Sequence, residues 1–199
     1  MKEFIETIKV KDGRFYNLPL HRERMERTAR RFFGRIPELE LSLSLVPEEL
    51  RTGLVKCRVV YDASIREISF APYTFRPVRS LALVTADRIA YDYKSADRSA
   101  LAALMERRGN CDDVLIAKQG RITDTSYANV VLESSEGGLF TPDTCLLPGV
   151  KRESLLRTGR IREIPVAVED LKGFVRIYLI NALIDPEDRV CLPISAITL

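Results

Sequence analysis

A chain of 199 residues, 46% apolar and 30% charged, has the composition of a globular protein and the length for one large domain or two small ones. Its formal net charge of +3 creates no global field for nucleic acid or an anionic membrane, and no apolar run approaches membrane-spanning length. A single histidine, with no GxSxG, P-loop or GxGxxG pattern, argues against hydrolase triads and the common nucleotide folds.

Residues 4–10 alternate in the manner of a strand, Asp12-Gly13 is a favoured hairpin turn, and residues 15–20 are expected to return as the second strand. Met25, Ala29, Phe32 and Phe33 then recur at helical spacing, which predicts an amphipathic helix over 21–33 that ends at Gly34 and Pro37. Arginines at 22, 24, 27, 30 and 31 fill its other face, and Arg35 follows its end. Pro47-Glu48-Glu49-Leu50 reads as a short helix opening. Strands are predicted at 54–61, 65–70 and 81–85, followed by a crossover near 87–93 and a helix capped by Ser95 or Asp97 that runs to about Arg108.

In the second half, 114–117, a Gln119-Gly120 turn and 121–132 predict another hairpin, followed by a short strand at 139–141. Pro148-Gly149 leads into a helix ending near Gly159. Strands at 163–168, 175–181 and 190–192 follow, with a short helix at 169–172. Strands and helices mix without regular alternation, so the fold class is α+β, with a boundary expected near residue 90. Cys57, Cys111, Cys145 and Cys191 have no paired spacing and read as reduced thiols, not a zinc or CxxC site. Met1-Lys2-Glu3-Phe4-Ile5-Glu6 carries charge where a signal peptide needs an apolar stretch, which predicts a cytoplasmic protein.

Three features carry chemistry. Lys94 stands among Tyr91 and Tyr93, whose rings would desolvate its amine and favour the neutral form that covalent amine chemistry needs. Asp124 sits in 121–132, a strand too polar to be plain core, where a buried carboxylate requires a cation or several hydrogen bonds. Gly149-Val150-Lys151 opens a helix whose first amides are unpaired and suit a phosphate, and Arg24 would project toward the same anion. Asn129 reads as a structural residue of the Asp124 layer. Amine, carboxylate and helix start are together the parts of a pyridoxal phosphate site.

The order His21-x-x-Arg24, Lys94, Thr123-Asp124 to Asn129, Leu147-Pro148-Gly149-Val150-Lys151-Arg152 and Asn181-Ala182-Leu183 resembles the class IV aminotransferases, the fold-type IV pyridoxal phosphate enzymes. Ile5-Glu6-Thr7-Ile8 with Asp12-Gly13, and the Ile-Asn-Ala-Leu near the end, are similar in flavour to 4-amino-4-deoxychorismate lyase within that family. The resemblance implies a two-domain homodimer with an α/β sandwich over residues 1–89 and a cofactor-bearing pseudo-barrel over 90–199. It implies Lys94 as the Schiff-base lysine and general acid/base, and Asp124 as the partner of the ring nitrogen. Arg24 and the amides of Val150 and Lys151 would hold the phosphate, and Asn181 falls at the second phosphate-side loop. An anionic amine would be the substrate, with no nucleic acid or membrane partner.

Two departures stand out against the family. Asp124 takes the place of its usual glutamate, one methylene longer, and the sequence starts at the family's Phe-Glu-Thr region, so the fold is expected to be N-terminally shortened. A lyase giving 4-aminobenzoate and pyruvate is the leading expectation; an aminotransferase for branched-chain or D-amino acids and a non-catalytic cofactor-fold binding protein are the others.

Overall fold

In a computed structural model of the chain, which describes residues 2–198, the protein divides into two compact units. The first is built on β1 (Phe4–Lys11), β2 (Arg14–Phe15), α1 (Leu18–Phe32), β3 (Leu54–Tyr61) and β4 (Ile65–Pro72). Its sheet is antiparallel throughout, in the order β2-β1-β3-β4. Asp12 and Gly13 both take positive φ, 49° and 74°, as the two-residue turn between β1 and β2 demands. The returning strand is shorter than the expected 15–20. Asn17 turns left-handed at φ 55° and Pro19 sits in the first turn of α1, so the helix starts at Leu18 and absorbs the end of the expected strand.

Alternation on β1 sends Phe4, Ile8 and Val10 against Met25 of α1 and against Val55, Cys57, Val59 and Tyr61 of β3. Glu6 belongs to the same row, in register with Val59, so the helix-facing side of β1 carries one carboxylate in an apolar stripe. The opposite face pairs Lys9 with Lys56 and Thr7 with Arg58 across the β1–β3 ladder. Residues Tyr93–Asp97 return to this unit: the Ile5 amide donates to the Lys94 carbonyl at 2.9 Å, and the Ala96 amide to Glu3 at 2.9 Å.

The second unit takes Arg76–Asp92 and the chain from Arg98 onward. It contains β5 (Leu81–Thr85), α2 (Ser99–Met105), β6 (Asp113–Lys118), β7 (Arg121–Thr125), β8 (Asn129–Ser134), β9 (Leu139–Pro142), α3 (Val150–Arg157), β10 (Arg162–Ile164), β11 (Phe174–Ile180), β12 (Cys191–Pro193) and β13 (Ile197–Thr198). The strands form one sheet in the order β10-β9-β8-β7-β6-β5-β13, with β11 branching from β8 and β12 pairing with β11. The boundary expected near residue 90 thus moves to Phe75/Arg76, because β5 pairs in parallel with β6 and β13 of this sheet, not with the first. Leu81, Leu115, Ile122, Val130, Leu132 and Ile177 form its core, while α3 packs Leu155 with Val131, Ile161 and Ile180.

Two further expectations change. The single strand over 121–132 breaks into β7 and β8 at Ser126–Ala128, where hydroxyls compete with the ladder: Thr125 Oγ1 donates to the Ala128 carbonyl and Ser126 Oγ to Asp113. Neither Ser95 nor Asp97 caps α2, whose N-cap position is Arg98 without a side-chain cap; Ser95 Oγ accepts from the Asp97 amide instead. Among the described residues no helix is long and apolar enough to cross a membrane, and no three His, Cys, Asp or Glu side chains are grouped to hold a metal ion.

Candidate active site

In the first unit the chemistry gathers around Glu6, whose carboxylate is fully buried. His21 and Arg24 lie three residues apart on α1 and so share the face turned to β1. Arg24 donates through Nε to Glu6 Oε1 at 3.0 Å and through an Nη to Oε2 at 2.6 Å, and His21 Nδ1–H reaches Oε2 at 2.5 Å. Burial pushes the Glu6 carboxyl up, but the Arg24 charge and the bonds from His21 and Arg24 outweigh it and hold it at about 2. Burial also lowers the His21 imidazolium below its ordinary value, with the Glu6 bond opposing and the Arg24 and Lys94 charges adding to the fall. His21 is therefore a neutral donor at pH 7.

Arg24, expected to aim at a phosphate, has Nε and one Nη engaged by Glu6. Glu6 fixes the plane of the guanidinium. Lys94 is half-buried on the segment beside β1. Its two expected tyrosine neighbours separate: Tyr93 packs edge-on against Phe32 at 4.9 Å in the first unit, while Tyr91 joins the Val84–Ile89 cluster of the second.

In the second unit Asp124 ends its side chain at the corner where β7 meets β8, in register with Asn129. Its Oδ1 accepts from Asn129 Nδ2 at 3.0 Å and its Oδ2 from the Leu147 amide at 3.0 Å. Asn129 Nδ2 also donates to the Leu147 carbonyl at 2.9 Å. All these donors are uncharged. Burial raises the Asp124 carboxyl to about 6, against the bonds from Leu147 and Asn129 and the charge of Arg152. Arg152 donates its own hydrogen bonds to the Pro142 carbonyl and to Glu163.

From Leu147 the chain passes Pro148 into Gly149, the extended N-cap of α3, and no side chain caps the first amides of the helix. Val150 and Lys151 are both buried, and the Lys151 side chain turns to Asp185 in an ion pair. Asn181 closes its own turn: its Oδ1 accepts from the Leu183 amide at 2.9 Å, and its backbone bridges to Ile184. The Lys151–Asp185 pair ties this loop to the start of α3.

One contributor escaped the sequence reading. Glu6 had a signal, an acid on the buried phase of an alternating strand. Asn129 reads from the sequence as a structural residue of the Asp124 layer; its two hydrogen bonds go to Asp124 and to the Leu147 carbonyl, and the second depends on a loop 18 residues away in sequence.

Comparison with known proteins places this geometry. The model of the family described as Amino-transferase class IV matches residues 3–197. An uncharacterised protein of Haemophilus influenzae is 36% identical over 186 residues, which cover 92% of this chain and 98% of that one. The crystal structure of a candidate 4-amino-4-deoxychorismate lyase from Haemophilus somnus superposes with a TM-score of 0.81 at 29% identity, covering 92% of this chain and 97% of that one. Branched-chain amino acid aminotransferase from Escherichia coli shares the fold, with a TM-score of 0.70 at 14% identity over 98% of this chain and 76% of its own. The chain belongs to the class IV aminotransferases, a family of pyridoxal phosphate enzymes that act on small amines and keto acids.

Proposed function

We propose that the protein is a pyridoxal phosphate-dependent lyase that converts 4-amino-4-deoxychorismate to 4-aminobenzoate, a folate precursor, and pyruvate. The observation that carries the cofactor assignment is Asp124: a buried carboxylate, raised to about 6, whose hydrogen bonds come only from uncharged donors. A protonated ring nitrogen would be the charged hydrogen-bond donor it lacks. The first amides of α3, without a side-chain cap, suit the phosphate dianion. Residue by residue, Lys94 would anchor the cofactor through its amine, Asp124 would hold the ring nitrogen, and the amides of Val150 and Lys151 with Arg24 would hold the phosphate. Asn181 shapes the neighbouring loop.

When bound, the cofactor supplies an electron sink conjugated to the substrate amine. Lys94, its amine set free once the substrate amine has taken its place, would take the proton from the ring carbon that bears that amine, and the carbon–oxygen bond to the enolpyruvyl group would break as the ring becomes aromatic. Lys94 then returns a proton to the departing enolpyruvate, which leaves as pyruvate. No water is consumed. Asp124 keeps the ring nitrogen charged during the step, and Arg24, oriented by Glu6, keeps the phosphate fixed.

Likeness to the Haemophilus somnus protein favours the lyase over its relatives. We read the enzyme as a cytoplasmic homodimer on the resemblance.

The test supplies purified holoprotein with 4-amino-4-deoxychorismate and, separately, with branched-chain or D-amino acids and a keto acid. Release of pyruvate and 4-aminobenzoate in equal amounts is expected. Keto-acid exchange alone would make it an aminotransferase, and full cofactor occupancy without turnover on either panel would make it a binding protein. Borohydride should fix the chromophore to wild type and leave Lys94→Ala unlabelled.

A further inference from the structure

Gly149 has φ −74° and ψ 142°, a backbone any L-residue adopts, so its conformation gives no reason for glycine. Space does. A Cβ added there would lie 1.9 Å from Asn129 Oδ1 and 3.1 Å from its Cγ, and the three nearest heavy atoms all belong to Asn129. A flexible side chain could swing aside from such a clash. Asn129 is not free to swing, because its Nδ2 is held between Asp124 Oδ1 at 3.0 Å and the Leu147 carbonyl at 2.9 Å. The amide orientation is set by these partners: both are oxygens, so the donor end must face them and Oδ1 must face Gly149.

We propose that Asn129 is a positioning residue that locks Asp124 to the Leu147–Gly149 loop, and that position 149 is glycine to make room for Asn129. The proposal rests on the cofactor reading above for its purpose, though not for its geometry. A rigid planar cofactor gripped at its ring nitrogen and at its phosphate needs the two grips at a constant spacing. Asp124 is one grip and the first amides of α3 are the other, and they sit on separate segments. The Asn129 carboxamide bonds the first directly and the loop leading to the second through Leu147, while the Leu147 amide returns a bond to Asp124 Oδ2. Three hydrogen bonds therefore close a ring of contacts around one carboxamide, and each becomes stronger in a site from which water is excluded. Because two of the three are donated to the carboxylate, the same ring favours its ionised form, the one a cationic ring nitrogen requires.

A double-mutant cycle separates this role from a direct one. Asn129→Ala and Gly149→Ala are each expected to weaken pyridoxal phosphate binding about tenfold, a double-mutant coupling of about 1.4 kcal/mol, and the pair together no more than Asn129→Ala alone. In cofactor-free protein carrying 13C-labelled aspartate, the titration midpoint of Asp124 should rise in both single variants, since each removes a donor from the ionised carboxylate. Asn129→Ser, which keeps a short polar side chain, should tolerate Gly149→Ala in the same way and serves if the alanine variant does not fold. Equal losses from Gly149→Ala in the presence and absence of the Asn129 side chain would overturn the proposal, since glycine would then be there for the phosphate itself. An unmoved Asp124 midpoint in Asn129→Ala would overturn it as well. Wild type that binds no cofactor while the Asp124 midpoint still moves would sink the cofactor reading and leave the lock standing.

Discussion

Glu6 in the first unit and Asp124 in the second are both carboxylates removed from water, at 0% and 5% exposure, yet they are held in opposite ways. Glu6 meets a guanidinium in two bonds and an imidazole N–H in a third, and sits at about 2. Asp124 meets an amide side chain and a backbone amide, and sits at about 6. The second unit is not short of cations for its acids, since Asp113, as deeply buried, is paired with Arg76 and bonded by Ser126. What differs at Asp124 is that its hydrogen bonds come from uncharged donors, the nearby Arg152 charge acting without one. Glu6 has its cationic partner within the chain; under the proposed function, Asp124 would receive its cation with the cofactor.

The sharpest way to break that contrast is to delete each acid and ask what is lost. Asp124→Ala should lower turnover by about a thousandfold or more, about 4 kcal/mol of transition-state stabilisation, while its unfolding midpoint in cofactor-free form falls little or rises. Glu6→Gln should do the reverse in emphasis. It leaves Arg24 with a neutral partner in a buried setting and should cost about 3–5 kcal/mol of stability, read by denaturant titration. If Asp124→Ala proved the more destabilising of the two and kept its turnover, the assignment of roles would be inverted.

The pH dependence of stability sharpens the comparison further. Glu6 is depressed, so its contribution is present above about 4.5 and is lost as pH falls toward about 2. Asp124 is raised, so its protonated form favours the fold below about 4, and that advantage disappears as pH rises through about 6. A shift of about two units corresponds to roughly 3 kcal/mol. Cofactor-free wild type should therefore lose stability relative to Asp124→Ala between about pH 4 and pH 7, and saturating pyridoxal phosphate should abolish that difference. Parallel pH curves for the two proteins, with no relative slope in that window, would show that Asp124 is not destabilised when ionised.

Much of this was legible in the sequence because it is written in local periodicity. The alternation of 4–10, the Asp12-Gly13 turn, the helical spacing of Met25, Ala29 and Phe32, and the Leu-Pro-Gly entry to α3 each depend on residues a few positions apart, and each formed close to where it was expected. The misplaced elements are those decided by distant partners. Residues 81–85 form a strand as expected, but their apolar side chains say nothing of which sheet they join; pairing with residues 113–117 decides it. The break at Ser126–Ala128 depends on Asp113, and the start of α2 depends on Ser95 bonding locally, not as a cap. The site shows the same division. Lys94 and Asp124 can be picked out as residue types that chemistry needs, whereas Glu6 acquires its role only when α1 folds across β1, and Asn129 only when Leu147 and Gly149 arrive beside it.

The smallest expected effect is also the cleanest control for environment. Arg30 pairs with Glu26 on α1 at 2.5 Å, much as Arg24 pairs with Glu6 at 2.6 Å, and both use a guanidinium and a carboxylate. The exposures of the partners are 69% and 42% in one case and 6% and 0% in the other. In water the Arg30–Glu26 attraction is screened, competes with hydration, and holds two long side chains in one geometry at an entropic cost. Its glutamate precedes its arginine by four residues, the favourable order on a helix, so a small stabilisation survives. Glu26→Ala should cost no more than about 0.5 kcal/mol and less in high salt. Should Glu26→Ala and Glu6→Gln destabilise the protein equally, contact distance and not burial would set the strength of these pairs, and the contrast between Glu6 and Asp124 would lose its physical basis.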